Sequence, residues 1–205
     1  SGRHDVVVNM KQPCFWNLVH RMYQPVADLP PIYVDNVKEH MSSCGEFYFD
    51  SARQSIYYIP HPHEDMETAR VVVALEEQLV WVQNASHQIF EGIAFEYATW
   101  LRPGQPEGYV EQQSGACDDC EVGTPISGKT GGGAFCGKND TYRITPANVA
   151  VLSSHDITFV NSKFQHLGAY AAGARDGSRN VIWRGCNFDD ISSGALTLGD
   201  VTTAD

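Results

Sequence analysis

Two aspartates, Asp176 and Asp200, lie near the end of the sequence at an offset of 24 (200 − 176 = 24). If the chain repeats at that spacing, equivalent residues on neighbouring units lie about 4.8 Å apart at the backbone. Their carboxyl groups could then approach the ~5 to 5.5 Å separation that retaining glycosidases use. Carboxylates that close push their pKa values apart, which leaves one protonated acid and one ionised nucleophile. The pair therefore predicts hydrolysis of a glycosidic bond, and ordinary turn chemistry at Asp-Gly and Gly-Asp is the alternative interpretation.

A histidine and another aspartate, His166 and Asp190, keep the same spacing. A histidine stacked on an aspartate serves either as an acid–base pair or as a hydrogen-bonded ladder of turns. Trp100, Tyr109 and Tyr170 are predicted to flank the same groove, because aromatic rings beside acidic groups suit sugar rings. Core packing explains any one of these aromatic residues equally well. These five residues form the predicted substrate-binding set.

A repeated pattern indicates how these side chains are positioned. Residues 155–164 align with residues 179–188 at the same offset, which places Phe164 on Phe188. Self-similarity at a fixed period is typical of stacked repeats. Apolar residues alternate within each copy, and a period of two indicates strands rather than helices. The repeat predicts coils of a parallel β-helix, with Phe164 and Phe188 in one internal aromatic ladder.

A third copy of the pattern lies upstream, at residues 86–95. Its Phe95 precedes Phe164 by an offset of 69 (164 − 95 = 69), which is nearly three periods. The His-to-Phe spacing in this copy is one residue shorter, which predicts a bulge or a slip in register. From about residue 102 to residue 145 the chain loses its periodicity and is rich in Gly, Cys and acidic residues. That composition predicts a long loop that leaves the coil.

Three segments, residues 45–60, 87–100 and 185–200, carry a resemblance to a known superfamily. They resemble right-handed parallel β-helix proteins of the pectin-lyase-like superfamily. The nearest branch is the one that contains β-helical glycoside hydrolases, including xylosidase-like enzymes. The resemblance implies a right-handed parallel β-helix, a β-sandwich segment before the main coil, and acidic catalytic residues on neighbouring coils.

The predicted fold is all-β and has two parts. Residues 1–70 are expected to form a small antiparallel segment, similar to a β-sandwich, with a hairpin at about 46–59. Residues 71–205 are expected to form the β-helix coils, with the Gly- and Cys-rich loop at about 102–145. The sequence starts without an initiator methionine and stops where a coil should continue, so we expect a fragment of a longer chain.

The composition argues against nucleic-acid binding and favours an oxidising compartment. The formal net charge is −11 and the isoelectric point is near 5.0, whereas nucleic-acid binding needs a basic face. No apolar run reaches the about 20 residues of a membrane span. Six cysteines and two Asn-x-Ser/Thr glycosylation acceptors, Asn84 and Asn139, are typical of an oxidising compartment. A secreted, extracellular glycoprotein with up to three disulfide bridges is therefore predicted.

The sequence predicts neither a metal nor a cofactor. Zinc binding is an alternative for three cysteines, Cys117, Cys120 and Cys136. No histidine lies near them at ligand spacing, so disulfides in the loop are favoured. Stacked carboxylates suggest calcium as a weaker alternative. Calcium takes about six to eight oxygen ligands, and the sequence offers pairs of carboxylates.

Together these features predict a secreted carbohydrate-active protein, a retaining glycoside hydrolase that acts on polysaccharide or oligosaccharide. The alternative is a non-catalytic extracellular module that binds glycan or other subunits of an extracellular assembly, because fold alone does not determine function. A lyase is a third interpretation. It needs a basic residue over the groove, and the nearest candidates are Arg175, Arg179 and Arg184.

Overall fold

The computed structural model describes residues 35–104, 116–118 and 142–199, with the backbone alone at 116–118, 142 and 143. Regular structure in this part of the chain is β-strand, apart from isolated 3-10 turns, so the all-β prediction is confirmed. None of the described helical turns has the length and apolar character of a membrane-spanning helix. The described residues fall into two compact units, 35–72 and 73–199.

The first unit contains a hairpin, in which β1 (Phe47–Asp50) pairs antiparallel with β2 (Ser55–Tyr58). Asp50 closes the turn between the strands. Its Oδ1 accepts hydrogen bonds from the backbone N–H groups of Ala52 and Arg53, at 3.1 and 3.0 Å. Its Oδ2 accepts another from the Arg53 guanidinium at 2.8 Å. The predicted hairpin is therefore confirmed.

The second unit consists of short strands joined by turns. In chain order they are β3 (Val80–Gln83), β4 (Ser86–Glu91), β5 (Ala94–Ala98), β6 (Ala116–Asp118), β7 (Tyr142–Ile144), β8 (Ala147–Leu152), β9 (His155–Val160), β10 (Lys163–Leu167), β11 (Tyr170–Arg175), β12 (Arg179–Arg184), β13 (Asn187–Ile191) and β14 (Gly194–Leu198). β6 and β7 pair antiparallel. The other strands form three parallel sheets, β3-β8-β11-β14, β4-β9-β12 and β5-β10-β13. Each sheet takes one strand from each coil, which is the architecture of a parallel β-helix.

The strand register confirms the predicted repeat length. Phe164 lies opposite Phe188, an offset of 24 (188 − 164 = 24). Between the first two coils the offset is 69 in all three sheets, so that Phe95 lies directly beside Phe164 (164 − 95 = 69). One coil plus an inserted segment between β5 and β8 accounts for this larger offset (69 − 24 = 45). The interpretation as three periods is therefore wrong.

The predicted slip in the first copy is also wrong. Ser86, rather than His87, lies opposite His155, and Phe90 lies opposite Phe159 without any shift. His87 and His155 share a residue type but not a structural position, and aligning them shifts the two copies by one residue. Between the second and third coils the offset is 24 for β9–β12 and β10–β13 but 23 for β8–β11, because the turn after β11 is one residue longer than the turn after β8.

Stacked aromatic side chains fill the inside of the coil. The rings of Phe95, Phe164 and Phe188 stack in sequence, with centroids 4.9 and 4.7 Å apart, which confirms the predicted ladder. A second ladder consists of Phe90, Phe159 and Trp183, with centroids 4.9 and 5.9 Å apart. The phenylalanines on the middle coil are fully buried. Each buried ring stabilises the fold by about 1.5–3 kcal/mol through removal of apolar surface from water.

A buried asparagine, Asn148 on β8, joins three turns of the coil. Its Nδ2 donates hydrogen bonds to the carbonyl oxygens of Glu77 and Thr99, at 2.7 and 3.1 Å. Its Oδ1 accepts a hydrogen bond from the backbone N–H of Ala169 at 3.2 Å. Because both ends of the amide are bonded, the side chain is tolerated in the core.

Cys44 and Cys186 are free thiols, and the described residues contain no disulfide bridge, so disulfide bonding among the loop cysteines stays a prediction. The Cys186 thiol donates to the carbonyl oxygen of Phe159 at 3.5 Å. On the preceding coil the equivalent corner position is Ser162, whose hydroxyl donates to the Val160 carbonyl at 3.0 Å. Cys186 therefore has a structural role. The side chains of the other four cysteines lie outside the described residues.

Candidate functional site

Two rows of left-handed residues cross the outside of the coil. They lie within the described strands and have φ between 51° and 60°; one row is His87, Asp156 and Asn180, and the other is Tyr97, His166 and Asp190. A left-handed residue interrupts the alternation of inward and outward side chains along a strand. In both rows it therefore leaves polar or aromatic groups facing solvent on consecutive coils.

The row on β5, β10 and β13 forms a continuous set of contacts. Nδ1 of His166 lies 2.7 Å from Oδ2 of Asp190, a hydrogen bond to the carboxylate. The ring of Tyr97 stacks on the His166 ring, with centroids 5.0 Å apart and planes inclined by 17°. The predicted stacking of His166 on Asp190 is confirmed, and Tyr97 extends it to the first coil. The three residues lie on strands rather than turns.

A second row of polar side chains runs beside this one. Glu96, Gln165 and Asp189 lie opposite one another in the register, each immediately after a phenylalanine of the first aromatic ladder. Glu96 and Gln165 are half-buried and Asp189 is exposed. Equivalent positions repeat at about 4.8 Å from coil to coil. We call the outer surface formed by these two rows the β5 face; it presents carboxylate, amide, imidazole and phenol groups.

The two described aromatic residues of the predicted set lie in different places. Trp100 is half-buried two residues after β5. Gly168 packs against it, since a Cβ at Gly168 would lie 2.7 Å from the backbone nitrogen of Trp100. Tyr170 begins β11, in another sheet, and its ring covers Gly194, where a Cβ would lie 2.6 Å from the ring. Trp100 therefore lies at the end of the β5 face and Tyr170 does not lie on it. Tyr109 lies outside the described residues.

The predicted catalytic pair is only half described. Asp176 is exposed in the turn after β11 with a φ of 55°. The register of the coil continues as far as Ala174, opposite Leu198. The left-handed turn, however, begins at Asp176 in one coil and at Gly199 in the next, one position earlier than that register would place it. This difference weakens the argument that Asp176 and Asp200 are equivalent. Asp200 lies outside the described residues, so the catalytic pair stays a prediction.

The other left-handed row forms a cluster on the outer surface of β4, β9 and β12. Nδ1 of His155 lies 2.8 Å from Oδ2 of Asp156, and Nδ1 of His87 lies 3.5 Å from the same oxygen. Asn180 donates a hydrogen bond from Nδ2 to the other carboxylate oxygen, Oδ1. The hydrogen bond from Asn180, followed by that from His155, lowers the pKa of Asp156. We call these four residues the His-Asp cluster.

The His-Asp cluster has the composition of a metal site. The ligand atoms of His87, His155 and Asp156 all lie within 4.8 Å of one another. The cysteine spacing and the paired carboxylates in the sequence do not predict a metal site at this position. The signal was present as an offset, since Asn180 follows Asp156 by 24 (180 − 156 = 24) and His166 follows Tyr97 by 69 (166 − 97 = 69). Comparison of polar residues at those two offsets identifies both rows.

Asn84, the first predicted glycosylation acceptor, is exposed in the turn between β3 and β4 with a φ of 53°. Its backbone N–H donates to the carbonyl of Leu152 at 3.2 Å, and its side chain is open to modification. Glycosylation at Asn84 stays a prediction. Asn139 lies outside the described residues.

Comparison with known proteins gives no relatives. No protein-family description, no curated protein and no solved structure matches this sequence.

Proposed function

We propose that this chain is a carbohydrate-binding β-helix, related to the pectin-lyase-like proteins and secreted, which holds a polysaccharide along the β5 face. The observation that carries the proposal is the contact row of Tyr97, His166 and Asp190, which faces solvent on consecutive coils. A row of hydrogen-bonding groups with a regular spacing suits a polymer of regular repeat.

The chemistry of the β5 face fits sugar hydroxyls. Carboxylate groups accept hydrogen bonds from hydroxyls, and the amide of Gln165 both donates and accepts. The half-buried ring of Tyr97 adds aromatic surface with a polar hydroxyl, a combination that is common at binding sites. Glu96, Asp189 and Asp190 give the face negative charge, so it favours a neutral glycan, such as a xylan-type chain, over a polyuronate.

Hydrolysis is the second candidate function. Glu96 and Asp189 are in register two coils apart, so their backbones are separated by about 9.6 Å. Inverting glycosidases hold their carboxyl groups about 6.5–9.5 Å apart. This pair therefore favours inversion, whereas the predicted pair of Asp176 and Asp200 favours retention. The stereochemistry of the first product distinguishes the two.

The test is calorimetric titration with neutral xylo-oligosaccharides. Tyr97→Ala and Asp190→Ala are expected to weaken binding at least about tenfold, the effect of losing about 1.4 kcal/mol. Trp81→Ala is the matched control, because Trp81 is an aromatic residue that is 50% exposed on β3, in another sheet. Loss of binding in the Trp81 variant with none in the Tyr97 variant would place the sugar on another face and refute the proposal.

The same oligosaccharides also test for hydrolysis. Incubation followed by chromatography detects cleavage, and proton NMR of fresh product identifies the anomer. Glu96→Gln and Asp189→Asn should each abolish cleavage if the inverting pair is responsible. Binding without cleavage supports the binding module alone.

A further inference from the structure

We infer that the His-Asp cluster binds one divalent first-row transition-metal ion, through Nδ1 of His87, Nδ1 of His155 and Oδ2 of Asp156. Two imidazoles and one carboxylate are a common ligand set for zinc and for iron(II). The cluster lies on a different sheet from the β5 face, and the inference does not depend on glycan binding.

Two of the three distances between the proposed ligand atoms are close to those of a metal site. With metal–ligand bonds of about 2.05 Å, ligand atoms stand about 3.3 Å apart in tetrahedral coordination and about 2.9 Å apart in octahedral coordination. The His87 and His155 nitrogens lie 3.5 and 2.8 Å from Oδ2 of Asp156. Both separations are within about half an ångström of the tetrahedral value, and the two histidine ligand atoms lie within 4.8 Å of each other. Rotation of the exposed His87 ring would bring the three ligands around the ion.

The fold fixes the positions of the three ligands. His87 and Asp156 occupy equivalent left-handed positions on β4 and β9, and His155 precedes Asp156 on the same strand. The rings of His87 and His155 meet edge to face, with centroids 5.4 Å apart. Asn180, at the equivalent position on β12, holds the carboxylate oxygen that is not used as a ligand. Hydrogen-bonded partners of this kind orient metal ligands.

The site is open to solvent on one side. The side chain of His87 is 74% exposed, and those of His155 and Asp156 are about one-third exposed. Three protein ligands with the remaining coordination positions open to water are characteristic of catalytic or ligand-binding metal sites rather than closed structural ones. Calcium is disfavoured, because it prefers oxygen ligands and two of these three are nitrogen.

The test is calorimetric titration of the chain with zinc at neutral pH, in a background that carries His61→Ala and His63→Ala. These two rings stack 5.8 Å apart in the first unit, and their removal eliminates a competing pair of imidazoles. We expect one binding step with a stoichiometry of one. His87→Ala and Asp156→Asn should abolish the step, and Asn180→Ala should weaken it by about tenfold.

His166→Ala is the matched control, because His166 also bonds a carboxylate, at 2.7 Å, but belongs to no group of three metal ligands in the described part of the chain. It should leave the zinc step unchanged. Absence of a zinc step in the background that carries His61→Ala and His63→Ala would overturn the inference. So would a step that persists in both the His87 and Asp156 variants or is lost in the His166 variant. His87 is largely exposed, so circular dichroism should show that its variant folds.

Discussion

Replacement of Asn148 by alanine should destabilise the coil more than replacement of any exposed asparagine. The side chain is 1% exposed and makes three hydrogen bonds, to Glu77, Thr99 and Ala169. At about 1 kcal/mol of net stability for each hydrogen bond, the loss is about 3 kcal/mol, and the orphaned buried groups add to it. These three hydrogen bonds connect the segment before β3, the turn after β5 and the turn after β10, so the loss affects contacts between coils.

Urea unfolding, followed by the fluorescence of the tryptophans in the coil, measures this loss. With a slope of about 2 kcal/mol per molar urea, a loss of about 3 kcal/mol lowers the midpoint by about 1.5 M. Asn187→Ala is the control, because Asn187 is exposed on β13, and its midpoint should change by less than about 0.3 M.

Asn148→Asp separates hydrogen bonding from packing. Aspartate has the same shape as asparagine and can still accept the N–H of Ala169. It cannot donate to Glu77 and Thr99, and it places a carboxylate oxygen against two carbonyl oxygens. We expect a loss at least as large as that of the alanine variant, because an unpaired buried charge is costly. An aspartate variant as stable as the wild type would refute the reasoning.

Two further predictions concern the aromatic ladder and the hairpin. Phe164→Ala should lower the free energy of unfolding by about 3–5 kcal/mol, since Phe164 is fully buried between two rings. Phe188→Ala should cost clearly less in the same urea assay, because Phe188 is half-buried. Equal losses of stability would contradict this order along the ladder. The pKa of Asp50 is held below its ordinary value of 3.8, first by the hydrogen bond from the Arg53 side chain and then by the Arg53 backbone N–H, with Lys38 adding positive charge. Ionised Asp50 therefore stabilises the hairpin above about pH 4, and this contribution is lost as the pH falls through the lower folded pKa. NMR titration of the Asp50 carboxyl should give a pKa under 3.8, whereas a value at or above it would show that the turn does not hold the carboxylate.

The coil can be predicted from the sequence because each coil buries apolar side chains at the same positions, and these positions recur at a fixed spacing. Phe164 and Phe188 lie on one rung since each must cover the apolar face of the next coil, and that requirement recurs once in every coil. The insertion between β5 and β8 obeys no such requirement. Its length therefore resembles further periods in the sequence, although Phe95 lies directly beside Phe164.

The outward rows were harder to predict because they break the alternation on which strand prediction depends. Phe164 points inward, so strict alternation places His166 inward as well. The left-handed conformation of His166, with φ of 54°, turns its side chain to solvent beside that of Gln165. Nothing in the hydrophobic pattern indicates which polar residue adopts this conformation.

A shared offset is therefore not sufficient to identify a functional pair. His166 and Asp190 keep the offset of one coil on paired strands, where interstrand hydrogen bonds fix the register, and they are in contact. Asp176 keeps the same offset from Asp200 but lies in a turn, and turns can start one position earlier from coil to coil, as Gly199 shows. Offsets within strands predict contacts, and offsets within turns predict only that residues share a corner. On this reasoning the two rows on strands are the stronger candidates for function.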